Sequence, residues 1–216
     1  MHAREVISNA MGDLAAIHEP DVELVSIERP QCTGLEALAK ALDQRRRALQ
    51  LRVQLQADQD PAELLAAALA ESSLPGQDEL GEELRLLSGV LYELLGCRGV
   101  GLRLLTLRQP MCPRFHVDRI PCRLLVTWGG PATEYVPDRF LERPLLASKR
   151  LPLRPGGQVR RLQPNAISLL KGSLWASSET ADGDVDRRPR RCQGVAHRSP
   201  TVPDHRLLLS MDPIWA

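Results

Sequence analysis

His116-Val117-Asp118 is followed, 79 residues after the aspartate, by His197 and, nine residues further on, by Arg206. Two imidazoles and one carboxylate can occupy one triangular face of an Fe(II) ion and leave the opposite face open. An arginine just beyond the second histidine can grip the far carboxylate of a keto acid through a two-pronged, charge-assisted hydrogen bond. These parts suggest oxygen-activating, iron-dependent chemistry and leave the substrate unnamed. Residues two apart on a strand point to the same side, so His116 and Asp118 are expected together on an inward face. Arg206 opens the apolar run Leu207-Leu208-Leu209, where a charged side chain is costly unless paired. A bound anion would pair it; a place at the solvent end of the strand is the alternative. His205 is a rival second histidine, but it adjoins the arginine and would face away from it.

The elements that must carry these residues change character along the chain. Residues 22–27 are expected as an edge strand. From Gly34 the pattern turns helical, with Leu35, Leu38, Leu42, Leu49 and Val53 on one face and Arg45, Arg46 and Arg47 outside. Asp60-Pro61 reads as an N-cap with proline at the first helical position, opening a helix to about Glu71. A third helix is expected from Asp78, with Leu80, Leu84, Leu87, Leu91 and Leu94 as its stripe and Gly96 as its stop. After Gly101 the period becomes two, and residues 102–107, 123–128, 133–136, 166–170 and 206–211 read as strands. Residues 176–193 read as a polar surface loop. Helices first and short strands afterwards make an α+β chain: helices in residues 1–100 packed on a β-sandwich or barrel in residues 101–216, together one compact unit.

The β half resembles the Fe(II)/2-oxoglutarate oxygenases, whose double-stranded β-helix (a jelly roll of cupin type) carries HxD, a distal His, and an Arg or Lys about ten residues later. His116, Asp118, His197 and Arg206 match that pattern one by one. Ser210 stands four residues after Arg206, where many of those enzymes have a serine two residues after. The resemblance implies Fe(II) on His116, Asp118 and His197. It also implies 2-oxoglutarate with its distal carboxylate on Arg206, assisted by Tyr135, Thr133 or Ser210. A closer resemblance is to a bacterial family of unknown function, number 1826. It rests on residues 110–118, on 124–136 with Gly-Pro-Ala-Thr-Glu-Tyr-Val, on His197-Arg198-Ser199-Pro200 and on 206–212. Some members of that family neighbour zinc-starvation genes, which ties it to metal supply.

Composition bounds the alternatives. Aromatic residues are only 3%, so the core must rest on leucine and valine. Residues 1–100 carry nine basic against 17 acidic residues, and residues 101–216 carry 19 against ten. A basic second half favours an anionic substrate or partner; two solvated surfaces that attract each other are the alternative. Arg114, Arg119, Arg123 and Arg198 surround the candidate site in sequence. Nucleic acid is disfavoured, because the arginines are dispersed and stacking aromatics are scarce. No apolar run is long enough to span a membrane, and no secretory signal is expected at the start. Five cysteines without CxxC spacing fit free thiols in a reducing cytoplasm. A rival site is a non-redox zinc centre linked to metal homeostasis, drawing on Cys112, His116, Cys122, Cys192 and His197. A cupin-like binding or scaffold protein with a degenerate metal site is the third reading.

Overall fold

Leu80, Leu84, Leu87 and Leu91 recur every three or four residues, the spacing that lays one apolar stripe along a helix. In the computed structural model, which describes residues 2–46, 48–69, 74–175, 193–201 and 205–215, all four are fully buried on α3 (Gln77–Leu95). Asp78 and Glu79 occupy the first turn, where the helix dipole favours negative charge. Gly96, in the left-handed conformation, returns its N–H to the Tyr92 carbonyl and ends the helix. The other helices are α1 (Thr33–Gln44) and α2 (Pro61–Leu69). Asp60 caps α2 by accepting the Ala62 N–H at 2.9 Å. No helix among the described residues is long and apolar enough to cross a membrane.

Among the described residues the strands are β1 (Arg4–Ser8), β2 (Val22–Ile27), β3 (Gln50–Gln56), β4 (Gly99–Leu107), β5 (Cys122–Trp128), β6 (Glu134–Val136), β7 (Arg160–Arg161), β8 (Ile167–Lys171), β9 (Ala196–Arg198) and β10 (Arg206–Ile214). They form a seven-stranded sheet in the order β1-β2-β8-β5-β10-β4-β3 and a three-stranded sheet in the order β7-β6-β9. Among the described residues only the β1–β2 pairing is parallel. Leu49 and Val53 do not extend the stripe of α1, as their spacing suggested. The helix ends at Gln44, Arg46 takes a positive φ of 49°, and residues 50–56 alternate as an edge strand against β4. Residues 22–27 form β2 but not an edge strand, because the short β1, which has no alternating pattern of its own, pairs on its outer side; the expected loop at 176–193 lies outside the described residues save for Gln193.

Alternation on β10 divides the interior. Leu207, Leu209 and Met211 join the helix leucines in one large core. Leu208 faces the other way, where Leu24, Leu125 and Leu170 of the large sheet pack on Tyr135 of β6 together with Ala132, Leu162 and Val195. The helices therefore cover one face of the large sheet and the small sheet covers the other. Odd and even positions of β10 look into different compartments, so Arg206, Ser210 and Asp212 share the small-sheet side with Leu208.

Candidate metal centre

Two reciprocal backbone bonds place the histidines side by side. His116 N–H reaches the His197 carbonyl at 3.1 Å, and His197 N–H reaches the His116 carbonyl at 3.0 Å. Directly opposed residues of an antiparallel pair send their side chains to the same face. The rings lie 4.6 Å apart, centroid to centroid. Each Nδ1 is 3.0 Å from the carbonyl two residues upstream, Arg114 for His116 and Val195 for His197. A carbonyl only accepts, so Nδ1 carries the proton and Nε2 is left with its lone pair. Both Nε2 atoms converge on Asp118: His116 Nε2 is 3.6 Å from Oδ1 and His197 Nε2 is 3.3 Å from Oδ2.

Asp118 lies beyond the short pairing of His116, in a segment pinned to the end of β8. Its carbonyl accepts the Ser173 N–H at 2.9 Å, and the Pro121 carbonyl accepts the Gly172 N–H at 2.8 Å. A Cβ at position 172 would fall 2.0 Å from the Ile120 carbonyl oxygen, so only glycine permits this approach. Asp118 Oδ2 also accepts from Arg123 Nη1 at 2.6 Å. Arg123, at the head of β5, in turn grips Asp212 of β10 with two bonds of 2.6 and 2.8 Å, and Arg103 of β4 bonds the same Asp212.

The electrostatics follow from this arrangement. Burial pushes the Asp118 carboxyl up, but the histidine hydrogen bonds and the Arg123 charge outweigh it and hold the group far below the usual carboxylate range. The Asp118 carboxylate raises His116 above its ordinary value against the opposing effect of burial. For Arg123, burial works against the charge and Asp212 overcomes it, so the guanidinium is held more firmly protonated.

Among the described residues, one cluster of three or more ligand-type groups assembles: one atom each of His116, Asp118 and His197, all within 4.8 Å of one another. The donor set of two imidazole Nε2 atoms and a carboxylate fits a divalent first-row transition metal. Among the described residues, neither Cys112 nor Cys122 of the rival set joins this cluster. Cys122 is fully buried in the helix-side core, on the sheet face opposite Arg123. Cys112 is half-buried and tied to Ser199, whose N–H its carbonyl accepts at 2.9 Å. Cys192 lies outside the described residues.

The remaining candidates are placed as follows. Arg206 is 2% exposed at the start of β10, so it is buried rather than at a solvent-facing strand end. Ser210 is buried on the same face. Tyr135 stands opposite His197 in register and is buried, but Arg160 and Glu5 surround its hydroxyl, so its polar company comes from β7 and β1. Thr133 is buried just before β6. Arg198 is committed to Glu134 at 2.8 Å and stacks 4.4 Å over the Phe115 ring, whereas Arg114 and Arg119 are exposed. Asp212 was not recognised as part of the site. The signal was present: Arg123 and Asp212 are charges at the ends of core strands, and such charges need partners.

A family model described as "Protein of unknown function (DUF1826)" matches residues 8–212. No curated protein matches the chain. Among solved structures, a dioxygenase for auxin oxidation in rice aligns at 12% identity over 99% of this chain and 83% of that one, with a TM-score of 0.50. A C-terminally truncated Neurospora crassa protein in apo form aligns at 10% identity over 93% of this chain and 86% of that one, with a TM-score of 0.46. A Pseudomonas putida prolyl-4-hydroxylase aligns at 14% identity over 88% and 97%, with a TM-score of 0.35. The likeness to the rice enzyme is one of fold alone, and the two weaker alignments carry no further weight.

Proposed function

The chain belongs to the protein family of unknown function DUF1826, and from that premise and the geometry of its histidine–aspartate cluster we propose that it is an Fe(II)- and 2-oxoglutarate-dependent oxygenase. The observation that carries this reading is the convergence of both Nε2 lone pairs on one carboxylate while both Nδ1 protons are spent on backbone carbonyls.

The topology supports a double-stranded β-helix behind that site. From β4 onward, successive segments fall in the large sheet, the His116 bridge, the large sheet, the small sheet twice, the large, the small and the large. That alternation wraps one chain into two facing sheets, as a jelly roll does. Residues 101–216 then form the oxygenase core, and residues 1–100 add its helical cover and the strands β1, β2 and β3 that extend the large sheet.

The roles of the chain's own residues follow. His116, Asp118 and His197 would hold Fe(II) and leave the opposite face open. Buried Arg206, with Ser210 on the same face, would take the distal carboxylate of 2-oxoglutarate through a two-pronged hydrogen bond. The apolar side chains around Leu125, Tyr135 and Leu208 exclude water between the sheets. When bound, iron with 2-oxoglutarate and dioxygen would supply the oxidising power, and the protein would supply orientation and exclude water. The exposed Arg114 and Arg119 beside the site favour an anionic substrate.

Anaerobic titration of metal-stripped protein with Fe(II), with and without 2-oxoglutarate, tests the reading. The expected result is a weak visible charge-transfer band that needs both components and is lost in His116→Ala and in Arg206→Ala. Fe(II) binding without any such band would contradict the assignment of 2-oxoglutarate.

A further inference from the structure

Asp118 is the single carboxylate among the three candidate ligands, and no strand fixes it. Its Oδ2 accepts from Arg123 Nη1 at 2.6 Å. Arg123 is itself immobilised: Nε and Nη2 fork onto Asp212 at 2.6 and 2.8 Å, and Asp212 is also bonded by Arg103. The row Arg103–Asp212–Arg123–Asp118 alternates in sign and joins β4, β10 and β5 to the ligand segment. Arg123 and Asp212 are 15% and 19% exposed at the side chain, so neither is an ordinary surface charge. A forked guanidinium transmits direction as well as charge.

We infer that Arg123 is a positioning residue that makes Asp118 a one-oxygen metal ligand: it holds Oδ2, which also lies 3.3 Å from His197 Nε2, and leaves Oδ1, 3.6 Å from His116 Nε2, to the ion. This inference rests on the metal reading of the preceding subsection.

The test uses the full chain and Co(II) as a spectroscopic probe, with no turnover required. Wild type is compared with Arg123→Met and Arg123→Lys, each checked for folding by circular dichroism. Partners that orient a metal ligand typically control affinity by about 10–100-fold. Arg123→Met is expected to weaken Co(II) binding by about that factor and to alter the visible ligand-field spectrum as Asp118 reorients. Arg123→Lys keeps the charge but loses the fork, so it is expected to recover only part of the affinity. Should Arg123→Met not fold, Asp212→Asn, which frees the guanidinium while leaving it in place, is expected to weaken binding in the same direction. Unchanged or tighter binding with an unchanged spectrum in a folded variant overturns the inference, as does full rescue by lysine. Absence of Co(II) binding by wild type overturns the metal reading with it.

Discussion

At the scale of single residues, the decisive contact is between imidazole Nε2 atoms and carboxylate oxygens at 3.3 and 3.6 Å. Two lone pairs do not face one another so closely without a proton or a cation between them. In the metal-free protein a second proton on His116 fills this contact below its folded value, which Asp118 raises above the ordinary 6.5. The stabilisation from that pair is fully present below about 6.5 and is lost as pH rises through the raised folded value. A metal must displace the same proton. Metal affinity is therefore expected to tighten as pH rises toward the folded value of His116 and to level off above it. Competition titrations across the neutral range measure this; an affinity that is flat or falls with pH would contradict it. The grouping of His116, Asp118 and His197 was legible at this scale, because histidine is scarce, five in 216 residues, and the spacing of the three is informative. The pairing of Arg123 with Asp212 was not, because it lies in the register of β5 and β10, which bond through Met211 and Leu124 one step away. Tyr135 was expected beside the keto-acid carboxylate, but the partners of its hydroxyl come from β1 and β7, two strands that local pattern does not reveal.

At the scale of elements, the site depends on how the ligand segment is stitched to β8. Gly172→Ala would drive a Cβ to 2.0 Å from the Ile120 oxygen and 2.8 Å from the Asp118 oxygen. Forced overpacking of this kind costs about 1–3 kcal/mol, and here it displaces Asp118 as well. Chemical denaturation and metal titration should both register Gly172→Ala as a loss. Gly89 of α3 is the control with the opposite sign, since nothing lies within 4 Å of an added Cβ. Gly89→Ala is expected to stabilise by about 0.8–1 kcal/mol and to leave metal binding unchanged. Helix α3 itself was readable from its leucine stripe, its acidic first turn and Gly96. Strand β3 was not, because Leu49 and Val53 fit a helical stripe continued from Leu42 as well as they fit alternation. The backbone decides at Arg46, whose positive φ no spacing rule contains.

At the scale of the whole molecule, one sheet serves two interiors. Its helix-side face carries the large leucine core, and its other face carries the charged row and the second core. Leu84, fully buried on α3, belongs wholly to the first. Leu84→Ala is expected to cost about 2–5 kcal/mol by denaturant melting, while the metal affinity of the folded fraction stays at the wild-type value. Metal at 100 times its dissociation constant is expected to stabilise the wild type by about 2.7 kcal/mol, a gain that His197→Ala should lack. The most direct test of the central claim is anomalous diffraction from crystals soaked anaerobically in Mn(II) or Fe(II). The account predicts a single peak about 2 Å from both Nε2 atoms and from Asp118 Oδ1, with Oδ2 still on Arg123. A peak on Cys112, or none at His116 and His197, would contradict it.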